Sequence, residues 1–146
     1  MGKNDYDMLK LENQICFPVY VLSKEIIRRY RPYLDEIGLT YTQYITMMVM
    51  WENEKVSVKE LGERLYLDSG TLTPVLKSLE SKGFVKRERS DTDERVLCVT
   101  LTEKGISLKQ QAAEIPPKVS ACLKLDRSEA VDFYKMLYRL IGELSR

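Results

Sequence analysis

The sequence predicts a mainly α-helical fold with a small β-hairpin wing. The prediction rests first on the stretch from Ser57 to Leu101, where two capped amphipathic segments precede two β-rich runs around a charged turn. It rests also on amphipathic segments on both sides of this stretch, whose apolar residues recur every three or four positions. Two helices, a tight turn and a hairpin in this order are typical of a winged helix-turn-helix.

The first predicted helix begins near Asn13, after a short arm at residues 1–10. Asn13 is a residue type that caps helices well. Pro18 should weaken the first turns because it cannot donate to the carbonyl of Gln14. Pro32 should close the helix, since the residue before a proline avoids the helical conformation. The apolar face comprises Ile15, Val19, Leu22, Ile26 and Tyr30.

A short helix is then predicted over residues 33–37, ending at Gly38. Thr40 and Gln43 have the spacing of a capping box, which should open a helix that runs to about Glu52. Because the apolar residues cover nearly all faces of this helix, it should lie deep among other elements. These residues are Tyr41, Tyr44, Ile45, Met48, Val49 and Trp51.

The central pair of helices begins at a second capping box, Ser57 with Glu60. After the turn YLDSG, its second helix should begin near Ser69 or Gly70 and end at Lys82, before a helix-terminating Gly83. Pro74 falls in or near the first turn, where amide groups lack helical acceptors anyway. The inward-facing residues are Val58, Leu61 and Leu65 in the first helix, and Leu72, Val75, Leu76 and Leu79 in the second.

The predicted wing consists of strands at residues 84–89 and 96–101, joined by a turn-forming polar segment. Thr102 should cap a further helix, which Pro116 and Pro117 break or kink. Asp126 and Glu129 form a capping box that opens the last helix. The apolar residues of that helix are Val131, Phe133, Tyr134, Leu137, Leu140, Ile141 and Leu144, and the chain totals about six helices and one hairpin.

We interpret residues 1–146 as one domain with two functional regions. Residues 55–102 form the winged DNA-binding region, while 1–54 and 103–146 form a helical dimerisation region with a sensor pocket. Terminal helices that cannot all bury their apolar faces in one small core commonly pair with a second subunit. A homodimer would also match a DNA site with two-fold symmetry.

The composition, 44% hydrophobic and 31% charged residues, is that of a globular chain. Neither a membrane span nor a signal peptide is predicted, so we expect a cytoplasmic protein with no membrane partner. Three scattered cysteines and no histidine make a zinc site unexpected, and no metal or cofactor is predicted. Because the net charge is only +1, any charge that attracts DNA must be local.

The groove-facing candidates of the second central helix carry hydroxyls or an amine, which suit phosphates and base edges. They are Ser69, Thr71, Thr73 and Lys77, with Ser78 at the margin. The wing adds Lys86, Arg87, Arg89 and Arg95, and an arginine at a wing tip can enter a narrow minor groove. The alternative is a helical hairpin buried in a core, followed by a solvated basic strand.

The segment LGERLYLDSGTLTPVLKSLESKGFVKRERSDTDERVLCVTLTEKG resembles the MarR family of dimeric winged-helix regulators. Its wing triplet Asp93-Glu94-Arg95 and the closing LTEKG carry that likeness. LYLDSGTLTP and LENQICFPVY are similar to the organic-hydroperoxide-sensing OhrR-type branch. The resemblance implies a homodimer on double-stranded DNA, with each subunit reading half of an inverted-repeat operator.

In the OhrR-type branch an N-terminal thiol senses peroxide, and the resemblance puts that role on Cys16. Tyrosines that hold the reactive thiolate fall on Tyr30 and Tyr41, contributed in the family by the other subunit, and Tyr20 lines the same pocket. The family's DNA-contacting residues fall on Ser69, Thr71, Thr73, Lys77 and Arg95. Some members use a second cysteine to form a disulfide across the dimer, and Cys122 lies in the corresponding region.

The chemistry around Cys16 agrees with this role. A cap at Asn13 would leave Cys16 about three residues into a helix, where the N-terminal partial charge favours a thiolate. Phe17, Met47, Met48 and Val49 could surround it with an apolar pocket that prefers organic peroxides. The alternative is a buried small hydrophobe. We expect Cys98, in a wing strand, to be structural or incidental.

The leading hypothesis is a peroxide-responsive repressor, not an enzyme, that releases its operator on oxidation of Cys16. The alternative is a repressor released by a phenolic or aromatic ligand without redox sensing. A thiol-dependent peroxidase with no DNA role, and a broader regulator of oxidative stress or virulence, are further hypotheses. The role of Cys122 stays open between a one-cysteine and a two-cysteine mechanism.

Overall fold

In a computed structural model, residues 6–145 can be described, and they form a mainly helical fold with one small antiparallel sheet. The chain divides into two compact units, Met1–Ile115 and Pro116–Arg146. Part of the predicted arm at residues 1–10 lies outside the described residues. Within residues 6–145, no helix is both long enough and apolar enough to cross a membrane.

The first unit begins with two 3₁₀ turns, Asp7–Leu9 and Leu11–Asn13, and continues into helix α1, Cys16–Glu36. The prediction that Asn13 caps α1 is wrong. Asn13 instead closes the second 3₁₀ turn, and its side-chain amide donates to the Asp7 carbonyl (2.7 Å). Cys16 is therefore the first residue of α1, with Ile15 in the capping position.

Two expectations about prolines in α1 are also wrong. Pro18 is the third residue of the helix, where amides have no helical acceptor, so the ring costs no hydrogen bond. Pro32 lies inside α1 and does not end it. The helix continues to Glu36 because Leu34 is buried in the core (2% exposed), and this packing offsets the lost bond. The separate helix predicted at 33–37 is the end of α1.

Helix α2, Tyr41–Asn53, follows a corner at Gly38, whose φ of 71° suits a residue without a side chain. The capping box of Thr40 and Gln43 is confirmed in both directions. The helix forms the centre of the core, as its pattern predicted: Tyr44, Met47 and Met50 are at most 1% exposed.

The central region contains a strand that the sequence did not reveal, β1 at Lys55–Ser57, before helices α3 (Val58–Leu65) and α4 (Ser69–Ser81). The Ser57 hydroxyl accepts from the Glu60 amide, which confirms the cap of α3, although only this half of the box is observed. Asp68 caps α4, and Gly83 ends it with φ of 82°. The prediction for Pro74 is wrong, since it lies beyond the first turn of α4.

The wing strands are β2, Val85–Arg89, and β3, Leu97–Leu101, as predicted. The sheet has the order β1-β3-β2, because the three residues of β1 pair with the outer edge of β3. Strand β3 is therefore central rather than an edge. This accounts for the burial of Cys98 and Val99, and supports the structural role expected for Cys98.

Helix α5, Glu103–Ala112, is capped by Thr102 as predicted. The proline pair does not simply break this helix. Pro116 and Pro117 fill the first turn of a separate helix, α6 at Ile115–Ser120, where their missing amides cost little. The second unit ends with α7, Arg127–Leu144, which opens with the predicted Asp126–Glu129 capping box. The helices thus number seven over residues 6–145.

Gly105 of the LTEKG motif is held against the start of the wing. A Cβ atom at Gly105 would lie 2.2 Å from the Phe84 carbonyl oxygen, which is fixed by hydrogen bonds from the Thr102 amide (3.1 Å) and hydroxyl (3.0 Å). The Gly105 carbonyl in turn accepts from the Trp51 indole (2.9 Å). A close approach between α5 and the wing therefore requires glycine at this position.

Gly105→Ala should lower the free energy of unfolding by about 1–3 kcal/mol, because the methyl group forces backbone apart in a packed region. Chemical denaturation monitored by circular dichroism measures the change. Ser107→Ala, an exposed substitution on the same helix, is the control and should have little effect. Equal stabilities for the two variants would contradict the assigned contact.

Candidate functional site

The first candidate surface is the exposed side of α4. Asp68 accepts from the Thr71 amide (2.8 Å), which fixes the beginning of the helix. Of the predicted residues, Ser69, Thr71 and Lys77 are exposed and Thr73 is half-buried. The partial positive charge of the helix N-terminus reinforces an attraction for phosphate. The structure thus brings these four side chains together on one element.

Ser78, the marginal candidate of this helix, is not groove-facing. Its hydroxyl accepts a hydrogen bond from the Gln43 side-chain amide (2.9 Å), across the packing between α4 and α2. The oxygen of the same amide accepts from the Lys82 ammonium (2.8 Å). Ser78 therefore faces the protein, whereas Lys77, one position earlier, faces solvent.

The wing presents three of its four predicted basic residues to solvent. Lys86 and Arg89 are exposed on β2, and the Arg95 side chain is 91% exposed at the tip. The Arg95 guanidinium contacts the Asp93 carboxylate (3.1 Å). Hydrogen bonds from the Arg95 guanidinium and backbone amide hold the pKa of Asp93 below its usual range. This local pairing orders the turn that carries Arg95.

Arg87 is different, because its charge is already paired. Its guanidinium lies 3.1 Å from the Glu80 carboxylate of α4, and its backbone amide donates to the same carboxylate (2.8 Å). These hydrogen bonds, the backbone one first, lower the pKa of Glu80. Only 23% of the Arg87 side chain is exposed. Arg87 thus joins the wing to α4 instead of extending toward solvent with the other three.

The second candidate surface is the start of α1, where Cys16 is an exposed free thiol. Its neighbours Ile15, Phe17, Val19 and Tyr20 are apolar or aromatic and between 40% and 81% exposed. Three residues of α2 were expected to line a pocket around Cys16. Met47 and Val49 are buried in the core instead, and Met48 is partly exposed. The thiol therefore sits on an apolar surface strip in the single chain.

Three tyrosines form a cluster where α1 packs on α2. The rings of Tyr30 and Tyr41 are 5.1 Å apart between centroids, and both lie near Tyr44, at 5.7 and 6.3 Å. Burial raises the pKa of Tyr30 and, with the added repulsion of Tyr30, that of Tyr41. The phenols therefore stay protonated hydrogen-bond donors at neutral pH. Tyr20, by contrast, is 59% exposed, with the Lys24 ammonium 5.0 Å from its ring.

Tyr44, Gln43 and Glu80 are site-supporting residues that sequence reasoning missed. Burial and the neighbouring phenols raise the pKa of Tyr44 to about 12, and its buried hydroxyl has no hydrogen-bond partner among the described residues. Tyr44 follows Tyr41 by three positions on one helix, a spacing that predicts that the two rings share a face. No local signal marked the long-range partners of Gln43, or of Glu80 beside Arg87.

Cys122 lies in the second unit, in the turn that follows α6. It is exposed and free, and its thiol contacts the Lys118 carbonyl (3.6 Å). Cys98, buried in β3, is the remaining thiol. Cys16 and Cys122 are thus the two cysteines that a reagent in solvent can reach in this chain.

Comparison with known proteins agrees with this geometry. Residues 23–112 match the family model described as transcriptional regulator SarA/Rot. The organic hydroperoxide resistance transcriptional regulator of Bacillus subtilis is 43% identical over 142 residues, 97% of each chain. SarZ of Staphylococcus aureus, an HTH-type transcriptional regulator, is 47% identical over 133 residues, covering 91% of this chain and 90% of SarZ.

Solved structures of AbfR, a Staphylococcus epidermidis protein, are also similar. Reduced AbfR bound to DNA is 36% identical, with a TM-score of 0.77 over 94% of this chain and 96% of AbfR. Overoxidised AbfR bound to DNA has the same identity, TM-score and share of this chain, with 97% of AbfR covered. A disulfide-formed AbfR is 34% identical, with a TM-score of 0.69 over 96% of both chains.

The fold also matches Escherichia coli MarR in complex with operator DNA, at a TM-score of 0.82 over 90% of this chain and 98% of MarR, with 24% identity. Two relatives above 40% identity over nearly the whole chain establish the family, and their described roles are in transcription. The exposed face of α4 and the basic wing are the features such a role requires. The chain therefore belongs to the SarA/Rot family of winged-helix, DNA-binding transcriptional regulators, in the group that contains OhrR, SarZ and AbfR.

Proposed function

We propose that this regulator is a homodimeric repressor that senses organic hydroperoxides through Cys16 and releases an inverted-repeat operator when oxidised. The observation that carries the proposal is an exposed free thiol at the first residue of α1, within an apolar surface strip. Apolar hydroperoxides can reach this thiol, and the surrounding side chains favour them over small polar oxidants. The organic hydroperoxide regulator of Bacillus subtilis, a close relative, supports the same signal class.

The tyrosines reach Cys16 only if two subunits combine. Tyr30 follows Cys16 by fourteen positions on one helix, a separation of about 21 Å along the axis at 1.5 Å per residue. In a dimer, Cys16 of one subunit can meet Tyr30 and Tyr41 of the other. Because burial keeps both phenols protonated, they would donate to the sulfur and stabilise its anionic form.

The unpartnered apolar faces support such a dimer. Each unit leaves its terminal helix uncovered: the first turns of α1 expose Phe17, Val19 and Leu22, and α7 has no buried residue at all. Amphipathic faces of this size require a partner in water. A dimer with two-fold symmetry would place its two copies of α4 in successive major grooves, as binding to an inverted-repeat operator requires.

The chemistry begins with attack of the Cys16 sulfur on a peroxide oxygen. The O–O bond breaks, the alkoxide leaves and takes up a proton to become an alcohol, and the sulfur becomes a sulfenic acid. The Cys122 thiol of the partner subunit then attacks this sulfur, which forms a disulfide and releases water. A disulfide-formed AbfR supports this second step, and overoxidised AbfR on DNA supports a release that depends on the disulfide.

The operator contacts in this proposal are Ser69, Thr71, Thr73 and Lys77 of α4 with Lys86, Arg89 and Arg95 of the wing. The first four read base edges and phosphates in the major groove. Arg95, at the wing tip, enters the minor groove, while Lys86 and Arg89 contact phosphates. Arg87 supports the wing through Glu80.

Cys16→Ser should bind an operator-containing duplex like the reduced wild type and no longer respond to cumene hydroperoxide. Wild-type affinity should fall by about 10³-fold on oxidation, toward the nonspecific level. Fluorescence anisotropy measures both. Cys98→Ala, which removes a thiol buried in the sheet, is the control and should still release. A Cys16→Ser variant that lets go on oxidation would contradict the proposal, and release by a phenolic ligand alone would select the alternative.

Oxidised wild-type protein should have the mass of a covalent dimer, twice that of the 17.0 kDa chain. Cys122→Ser should have the mass of a single chain with an oxidised sulfur. Intact-mass measurement with and without reductant tests this two-cysteine route. A covalent dimer that persists in Cys122→Ser would overturn the assigned pairing. Retained release in that variant would assign the switch to Cys16 alone.

Arg95→Gln should make the fall of log affinity with log salt concentration less steep, by about 1 in slope for each wing tip. The reason is that each arginine displaces about one counterion from DNA. A titration of operator binding over several salt concentrations gives the slope. Arg28→Gln, which removes an exposed arginine of α1, should leave it unchanged. Parallel slopes for wild type and Arg95→Gln would refute the wing contact.

A further inference from the structure

The buried amide of Gln43 joins the beginning of α2 to the end of α4. Gln43 is 7% exposed, and both ends of its amide are used. The oxygen accepts from the Thr40 amide (3.1 Å) and the Lys82 ammonium (2.8 Å), and the nitrogen donates to the Ser78 hydroxyl (2.9 Å). A helix cap alone would need only the first of these contacts, so the other two serve the packing of α4.

Lys82 extends this connection to the corner between α1 and α2. Its ammonium donates to the Gly38 carbonyl (2.6 Å) as well as to Gln43. The last residues of α4 are thereby tied to the point where α1 ends. We call Gln43, Ser78 and Lys82 the α2 clamp.

A second polar contact holds α4 from the wing. Glu80 accepts from the Arg87 amide (2.8 Å) and lies 3.1 Å from its guanidinium, with 36% of the Glu80 side chain exposed. We call this pair the β2 clamp. Both groups of the pair are otherwise ordinary surface charges, yet their bonds connect two elements.

The two clamps lie on opposite sides of the buried stripe of α4. Leu79 is 0% exposed and marks the centre of that stripe, with Leu72 and Leu76 at 1%. Because successive residues of an α-helix are turned by about 100°, Ser78 lies to one side of Leu79 and Glu80 to the other. Burial of the leucine stripe determines which face of α4 meets the core, and hydrogen bonds on both sides of the stripe oppose small rotations of the helix in either direction.

We propose that Gln43 and Arg87 are positioning residues for operator recognition, which act by fixing the rotation of α4 about its own axis. Base readout needs hydrogen bonds that weaken steeply with distance and angle. A small rotation would therefore move Thr73 and Lys77 off their base edges. Phosphate attraction tolerates the same movement, because it depends on charge rather than on alignment.

This difference supplies the test. The probes are a duplex selected from a random pool by reduced wild-type protein and a scrambled duplex of the same length. Ser78→Ala opens the α2 clamp and Glu80→Gln weakens the β2 clamp. Each should lower the ratio of selected to scrambled affinity about fivefold, and the double variant should lower it further. Affinity for the scrambled duplex should hold in Ser78→Ala. It should hold or rise in Glu80→Gln, because the Arg87 guanidinium then becomes free to meet phosphate.

Thr46→Val is the matched control. Thr46 is fully buried on α2, one turn from Gln43, but its hydroxyl donates only within its own helix, to the Thr42 carbonyl (2.8 Å). Its affinity ratio should equal that of the wild type. The proposal is overturned if Ser78→Ala and Glu80→Gln weaken both duplexes equally, as a smaller folded fraction would, or if their ratios do not change.

This inference rests on the operator binding of the proposed function and not on its redox step. All measurements are made with reductant present. A Cys16→Ser variant that still releases the operator on oxidation would overturn the redox step but leave the ratios unaffected, and unchanged ratios leave the peroxide response unaffected. The two failures are distinguishable.

Discussion

The burial of Leu72, Leu76 and Leu79 is the constraint on which the rest of the winged region depends. These three leucines place α4 on the core formed by α2 and the sheet, and leave its opposite side to solvent. Burying three such side chains provides about 1.5–3 kcal/mol each. That energy attaches the helix, but its contacts with DNA also require an orientation, which polar contacts on the two sides of the stripe supply.

The basic charge that this protein can offer to DNA depends on which basic side chains are already paired with acidic ones. The chain carries 23 basic and 22 acidic residues, so no general attraction to DNA is available. Pairing with Glu80 removes Arg87 from the free charge of the wing, while Lys86, Arg89 and Arg95 remain exposed. The same segment carries Glu88, Asp91, Asp93 and Glu94, so the wing offers individual basic side chains and not a net positive charge. In the proposed complex, Lys86, Arg89 and Arg95 contact the DNA through their charges, and the nearly neutral α4 contributes shape and hydrogen bonds.

Local sequence rules predicted the parts of the fold that local forces determine. The caps at Thr40, Asp126 and Thr102 were found because a cap needs only residues three positions apart. Pro32 was misread because Leu34 packs into the core, a contact between distant residues that outweighs the preference of proline. Strand β1 was missed because three residues carry too short a pattern, and its partners are more than forty positions away.

For the candidate site too, some features could be predicted from the sequence and others could not. Exposure of Thr71 and Arg95 followed from their elements, and the resemblance to known regulators pointed to Tyr30 and Tyr41. Cys16 was expected in an apolar pocket, but it lies exposed at the first residue of α1. The partners of Ser78 and Arg87 did not follow, since a hydroxyl or guanidinium looks the same in sequence whether it faces solvent or protein. Gln43 lies 35 residues from Ser78 on another helix, and the seven residues from Glu80 to Arg87 cross the end of α4, so neither pair follows the periodicity of a single element.

The exposure of helix α7 affects how this region of the protein is stabilised. Eighteen residues form a capped helix in which no side chain is buried within its own chain. Packing against another chain would stabilise it, because helices in proteins gain most of their stability by burying an amphipathic face and not from helix propensity. In the proposed homodimer, folding of this region and assembly of two chains become one equilibrium, so the melting temperature should rise with protein concentration. Dilution alone would then act on the same equilibrium as a chemical signal, and the cellular abundance of the protein becomes part of its regulation.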